Sequence, residues 1–444
     1  MNVSHLENSF MGERSFIRGL WAALQMPFAT FAVLAGLAAA ALLMPNLLVM
    51  KEDTAVSTIL IPLPFLAIAI LTNFAGSAHN REFGFLDAAA IALLGYLFLR
   101  NFQLVTLEYF LLGAGVYYLA SIVVVRPKYF RKIIQVIAGL GALTSVIGLL
   151  ELLFFKNDLF DLYMTPTPDH SGIHRIASTL LHPAVFGTFL VFTIPFTFIL
   201  YIVSGNRRER FFWIGAIGLE LVAILLSISK SSLLIVVCFG VIFAIWALVK
   251  RHKYLLMPMA GLIIVLAISG IVFFQPLSES VRYRLFDSVN ERTYRWDATI
   301  GGIEKTRALG VGWGSGPAFL ARINPSVRAY MASGRTLPID NFYLSFILEQ
   351  GYAGFLLLFL FLAALVGQSI IAVVRSASNR PWLMAAMIAM AAICLNLITF
   401  DGFSWWPVFV IFWLTAGILR GISNPWFSGA GERSADWLSR FAVQ

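Results

Sequence analysis

The sequence predicts an all-α integral membrane protein of about twelve transmembrane helices, with one large extramembrane loop domain between the ninth and tenth. Three observations predict it. Only 12% of the 444 residues are charged, against about 25% in soluble globular chains. The hydrophobic fraction is 59% and the mean hydropathy is +0.83. Apolar runs of about 20 residues, long enough to cross a bilayer, recur along the chain. Together these exclude a soluble enzyme, a disordered chain and a fibre.

The runs lie near 21–44, 56–74, 86–100, 104–125, 132–155, 183–204, 211–228, 231–249, 254–274, 341–373, 382–400 and 404–420. The third is short, and the tenth is long enough to tilt or protrude. The seventh and eighth are separated by almost nothing, so they form a tight hairpin or one broken helix. The first 20 residues, with Glu7, Glu13, Arg14 and Arg18, do not read as a cleavable signal peptide. Lys and Arg are concentrated on the cytoplasmic side of helical membrane proteins. Placing the N-terminus inside collects eighteen of the 32 cations in cytoplasmic segments, so both termini are expected to be cytoplasmic. The division is then residues 1–274 with a small outside loop at 156–182, an outside domain at 275–340, and a last membrane segment with a cytoplasmic tail at 341–444. The net charge of +9 is mostly topology and does not point to nucleic acid. Cys238 and Cys394 each lie alone in apolar runs, which excludes a disulfide framework and a Cys-ligated metal.

Chemistry is concentrated in the outside segments. The small loop ends His174-Arg175-Ile176-Ala177-Ser178-Thr179-Leu180-Leu181-His182-Pro183. Arg175 is either an interfacial snorkelling residue or a functional cation. His170, His174 and His182 lack the helical i,i+4 spacing of a metal site and read as loop histidines. Between the seventh and eighth runs, Ser227-Ile228-Ser229-Lys230-Ser231-Ser232 is either an interfacial anchor or an anion site. In the second reading, the Lys230 ammonium, serine hydroxyls and the amides of the following helix would share the anion.

The large loop carries Arg282, Arg284, Arg292, Arg295 and Trp296, a helical stretch near 294–308, and Leu309-Gly310-Val311-Gly312-Trp313-Gly314. Its glycines fit neither a dinucleotide fingerprint nor a phosphate-binding P-loop. They are expected to permit tight turns and the close approach of a bulky ligand; the basic and aromatic residues could instead meet anionic lipid headgroups. Asp340 closes the loop, ahead of Asn341, Tyr343 and, nine residues on, Glu349. It is either an ion-pair partner for the arginines or a proton acceptor. Glu349 should point to the opposite face, so the two are not a dyad. Glu108, Glu151, Glu220 and Asp401 fall within or beside membrane runs and need partners.

Four segments, in order, resemble the bacterial O-antigen ligase and O-antigen (exopolysaccharide) polymerase superfamily of undecaprenyl-pyrophosphate-glycan transferases. They are Arg175…His182-Pro183, Ser227-Ile-Ser-Lys230-Ser, Arg292-x-x-x-Trp296 with Leu309-Gly-Val-Gly312-Trp-Gly, and Asp340-Asn341-x-Tyr343-Leu…Glu349-x-Gly351. The resemblance covers about residues 130–370. Lys230 stands where the superfamily usually has Arg, and Asp340 where the ligases have a histidine proposed as base.

The resemblance implies a multi-pass inner-membrane glycosyltransferase working at the periplasmic face. It would transfer glycan from an undecaprenyl-pyrophosphate carrier to a sugar hydroxyl of an acceptor glycan, with inversion and without metal or other cofactor. Arg292 and Asp340 would be catalytic. Arg175, Lys230, Arg282, Arg284 and Arg295 would bind the pyrophosphate, supported by His182, Asn341, Tyr343, Trp296 and Gly312. The aspartate at 340 favours a polymerase over a ligase acting on lipid A-core or a protein O-oligosaccharyltransferase. The implied partners are the lipid-linked oligosaccharide, the acceptor glycan, the bilayer, and chain-length-regulating or flippase proteins. A polyprenyl-glycan flippase is the alternative of another class, disfavoured because polar residues concentrate in loops and not along several spans.

Overall fold

The computed structural model describes residues 84–100, 104–123, 127–154, 175–180, 182–250, 292–306, 308–332, 339–376 and 379–423. The runs expected at 21–44, 56–74 and 254–274 lie outside these residues, as do Arg282, Arg284, His170 and His174. Among the described residues the secondary structure is helical, with no strand.

The chain runs α1 (Phe85–Arg100), α2 (Leu104–Val123), α3 (Pro127–Phe154), α4 (Pro183–Val203), α5 (Arg207–Ser227) and α6 (Lys230–Lys250). Residues 292–303 form α7, a few residues shorter at its end than the expected 294–308. Two short helices follow, α8 (Gly316–Ile323) and α9 (Pro325–Ala332), and then α10 (Phe342–Arg375), α11 (Arg380–Asn396) and α12 (Trp406–Ile422).

Among the described residues, four stretches are long and apolar enough to cross a membrane: Phe130–Glu151, Pro183–Val203, Arg207–Ser227 and Phe342–Arg375. Shorter apolar helices cover Leu111–Ile122, Lys230–Val241, Arg380–Asn396 and Trp406–Ile422. The protein is therefore a helical membrane protein. Burial sorts the helices by depth. The apolar window of α4 is 78% buried and that of α10 only 22%, so α4 lies within the bundle while α10 exposes Leu356, Phe359, Leu360 and Val366 on a face suited to lipid. α12 is buried along its whole length. Its Trp413 forms edge-to-face and tilted aromatic contacts with Tyr117 of α2, Phe361 of α10 and its own neighbours Phe409 and Phe412, an arrangement favoured by the ring quadrupoles.

Most buried polar groups of the bundle have partners. Glu151 accepts hydrogen bonds from the amides of Ala177 (3.1 Å) and Ser178 (2.8 Å). Glu220, fully buried in α5, accepts from the hydroxyls of Thr193 and Thr197 of α4 at 2.9 and 3.1 Å. At the Arg420 end of α12, Arg420 meets Asp87 of α1 at 2.8 Å. Asp87 also accepts from Tyr117 Oη and the Gly84 amide, each at 3.0 Å.

α10 is broken at Gly351, whose φ of 69° and ψ of −179° are open essentially to glycine alone. The backbone groups freed there are taken up by the glycine-rich segment. Val311 N donates to Leu348 O (3.0 Å), Gly312 N to Glu349 O (2.8 Å), and Ala353 N to Ala308 O (3.3 Å). Tyr96 Oη donates to Gln350 O at 2.6 Å, and Arg100 of α1 holds the carbonyls of Leu309 and Gly310. A Cβ on Gly351 would lie 2.0 Å from Ala308 O, and one on Gly310 2.4 Å from Glu349 O. The close approach expected for a bulky ligand is thus made to the protein's own helix. An interrupted helix must have its carbonyls and amides satisfied, and a bare backbone strand does that.

The segment between α7 and α10 has its own small core of Ile303, Leu320, Val327, Ile339 and Leu348. Through Leu348 that core includes a residue of α10 itself.

Candidate functional site

The site is assembled at the end of the bundle where α4, α6, α10 and α12 begin and α5 and α11 end. Pro183 suits the first turn of α4, where no amide is required. His182 caps that helix, its Nδ1 accepting from Ala184 N at 3.2 Å, which leaves Nε2 as the protonated nitrogen. The ring stacks on Phe400 at 5.7 Å and lies 5.0 Å from Trp405. Burial, and secondarily the positive charge of Arg175, hold its pKa down to about 4, so the imidazole is neutral at physiological pH.

Arg175 reaches the C-terminus of α5. Its Nε donates to Ser227 O at 3.0 Å and one terminal nitrogen to Ile228 O at 3.3 Å. The cation caps a helix end whose carbonyls are otherwise unsatisfied and whose dipole is negative. The α5–α6 connection is a tight hairpin: Ile228 takes the left-handed conformation (φ 50°), and Lys230 opens α6. The serine hydroxyls of that turn bond within the protein. Ser229 pairs with Ser232 at 2.9 Å and Ser231 with Asn396, whose amide also donates to Thr188 and Ser232 at 2.8 and 2.9 Å. This network fixes α4, α6 and α11 around Lys230.

On the other side, α7 presents Arg292 and Arg295 to Asp340. Arg295 Nη1 lies 2.6 Å from Asp340 Oδ2, and Arg292 Nε lies 3.9 Å from the same oxygen. The ion-pair geometry anticipated for Asp340 is therefore present. Asp340 itself has φ 52°, a conformation uncommon outside glycine, asparagine and aspartate. Asn341 caps α10, accepting from Leu344 N at 3.1 Å, and Tyr343 donates to Cys394 O at 2.9 Å. Trp296 lies on α7, its indole Nε1 buried without a hydrogen-bond partner among the described residues.

Asn341, Ser345 and Glu349 are spaced one helical turn apart on α10, and all are buried. Glu349 accepts from Gly316 N at 3.1 Å, capping α8, where a carboxylate complements the helix dipole. Ser345 instead donates to Asp401, a residue read from the sequence only as a carboxyl in need of a partner. Asp401 sits in the α11–α12 connection between Phe400 and Trp405, the two rings that flank His182. Burial raises its pKa, the Ser404 and Ser345 hydroxyls oppose the rise, and the charge of Asp340 adds to it. Asp401 thereby joins the His182–Arg175 side to the Asp340–Arg295 side. Its signal in sequence was an isolated acid at the end of a span, which named no partner. Among the described residues no three His, Cys, Asp or Glu are grouped to hold a metal ion.

Fold and site define a polytopic α-helical membrane protein with a cation-rich polar site at one end of its bundle. Residues 216–359 match the family model described as O-antigen ligase. The matched segment contains Lys230, Arg292, Arg295, Gly312 and Asp340, and it supports the O-antigen ligase and polymerase superfamily that the motifs resemble. It also supports, in general terms, a membrane glycosyltransferase acting on lipid-linked glycans. No curated protein gives a match to the chain.

Proposed function

We propose that this protein is a polymerase of O-antigen or exopolysaccharide repeat units in the bacterial inner membrane, with both termini cytoplasmic and the polar site facing the periplasm. It would join an undecaprenyl-pyrophosphate-linked glycan to a sugar hydroxyl of a second glycan. The carrying observation is the convergence of Arg292 and Arg295 on Asp340, at the same end of the bundle as Arg175 and Lys230.

In the reaction, the acceptor oxygen bonds to the anomeric carbon as the carbon–oxygen bond to pyrophosphate breaks. The electron pair leaves with the pyrophosphate, and the hydroxyl proton passes to a base. Charge builds on the leaving group, where preorganised cations lower the barrier most. Arginine stays protonated and offers a two-pronged contact to phosphate. Arg292, 39% exposed, is placed to turn from Asp340 to the substrate, while Arg295 stays anchored. Lys230 adds a point charge at the start of α6, and Arg282 and Arg284 belong to the same basic set. Because these cations carry the stabilisation, the transfer is metal-independent in this reading. Back-side attack inverts the anomeric centre, and the polyprenyl tail lies along the apolar helices. Asp340 holds the arginines in place.

The test is the glycan profile of a deletion strain complemented by variants. Loss of long chains with one capped repeat remaining marks a polymerase. Accumulated full-length lipid-linked polymer marks a ligase, the alternative favoured by the description of the matching family. Arg292→Ala and Asp340→Ala are each expected to abolish extension at normal protein level; wild-type extension in both would refute the site.

A further inference from the structure

Taking the transfer reaction above as its basis, we propose that Asp401 is the catalytic base, the carboxylate that removes the proton from the attacking sugar hydroxyl. Asp340 is poorly placed for that task. Its Oδ2 is ion-paired with Arg295 at 2.6 Å and approached by Arg292 at 3.9 Å, and a carboxylate held by two guanidinium groups is a weak proton acceptor. Asp401 has the opposite arrangement. Its Oδ2 is fixed by the hydroxyls of Ser345 (3.2 Å) and Ser404 (2.9 Å), so the carboxyl plane is set. No described residue donates to its Oδ1, which is not among the buried, unpartnered atoms. One oxygen is a handle, and the other is not fully buried.

The neighbours of Asp401 sharpen the assignment. Asp340, at the start of α10, and Glu349, further along α10, act on it as like charges. His182, at the start of α4, stacks on Phe400 next door but is neutral at physiological pH and offers it no ion pair. Arg292 and Arg295 thus pair with Asp340 and Arg175 with the end of α5, while Asp401 is bonded by hydroxyls and has like charges nearby. That environment keeps a carboxylate basic, as proton abstraction requires. In the transfer step the proton moves from the acceptor hydroxyl to Asp401 Oδ1 as the new glycosidic bond forms. The pyrophosphate departs with the old bonding pair, and Asp401 then returns its proton to water.

The experiment uses full-length protein in detergent with undecaprenyl-pyrophosphate-linked repeat unit extracted from a deletion strain as donor and acceptor. Asp401→Asn keeps an oxygen for the two serines and removes the basic one. Turnover is expected to fall at least about 100-fold, in the range for a general base, with little change in KM. Asp401→Glu should recover part of the loss. Ser404 is exposed, so Ser404→Ala leaves folding intact while removing one hydrogen bond that stabilises the Asp401 carboxylate. The acidic limb of its kcat–pH profile should therefore move to higher pH.

Wild-type turnover in Asp401→Asn, or an unmoved acidic limb in Ser404→Ala, overturns the assignment. So does an acidic limb that vanishes in Asp340→Asn but persists in Asp401→Asn. Arg295→Ala separates the two levels of inference. If it is inactive while Asp401→Asn is normal, the base is misassigned and the reaction stands. If Arg295→Ala and Arg292→Ala both transfer normally, the reaction itself is misread.

Discussion

Two arginine–aspartate pairs sit at opposite ends of the helical bundle, and they differ in everything but composition. Arg420 and Asp87 are 7% and 5% exposed at the side chain, and the aspartate has two further donors in Tyr117 and Gly84. Arg295 and Asp340 are 11% and 21% exposed. A second arginine, itself 39% exposed, shares that carboxylate. The first pair is closed and neutral, and it ties α1, α2 and α12 together. In the second, two arginines converge on one carboxylate and all three side chains keep some exposure. A closed ion pair holds a structure together; a partly exposed one can exchange contacts with a ligand.

Tests at four places, Arg420, Arg295, His182 and Arg131, sharpen that distinction, from the largest effect to the smallest. Arg420→Ala would leave Asp87 charged and buried, costing about 3–5 kcal/mol. It should appear as a marked loss of thermal stability in detergent, while the protein that remains folded keeps its turnover. Replacing both partners, Asp87→Leu with Arg420→Met, should restore most of the loss, since a well-packed apolar pair often equals a buried ion pair. Arg295→Ala should do the reverse, lowering glycan transfer about 100-fold or more with an unfolding midpoint near wild type. If the two single variants behaved alike, the distinction would collapse.

His182 supplies the third test. Its folded pKa of about 4 lies below the ordinary 6.5, so below pH 6.5 the unfolded chain binds a proton that the folded protein refuses. Stability should be level above pH 6.5 and fall as the pH drops towards 4, by on the order of 3 kcal/mol in all. His182→Asn retains a good helix cap and should flatten that slope in pH-dependent melting curves. The smallest effect belongs to the exposed pair Arg131–Glu209, 3.4 Å apart with side chains 46% and 41% exposed. Arg131→Ala should change stability by about 0.2–1 kcal/mol and leave transfer untouched.

The helical membrane class, the order of the described spans and the tight turn before Lys230 were legible in the sequence because each is a local signal. Apolar length marks a span, and a missing loop marks a hairpin. The cations and Asp340 were legible as a set because the motifs keep their order. Which oxygen meets which guanidinium was not, since α7 and α10 come together through a fold separated by 45 residues. Asp401 stayed obscure for the same reason: its partners Ser345 and Ser404 lie on different elements, and His182 reaches it through aromatic rings over two hundred positions away in the chain. The glycines at 310, 312 and 351 were visible as conformational signals. Their true neighbour, a broken helix, is a backbone feature that side-chain patterns do not encode.

The interlock between Ala308–Gly312 and the break in α10 closes the chain into a ring. What leaves the helix surface at Val311 returns to it by Leu348, so the intervening residues make a round trip anchored at one point. The part of that trip ahead of Asp340 can be lengthened, shortened or exchanged without shifting the register of the bundle beneath it. The fold therefore offers an interchangeable visor above a fixed reaction chamber, a division of labour through which related chains could accept different sugars while keeping the same helices.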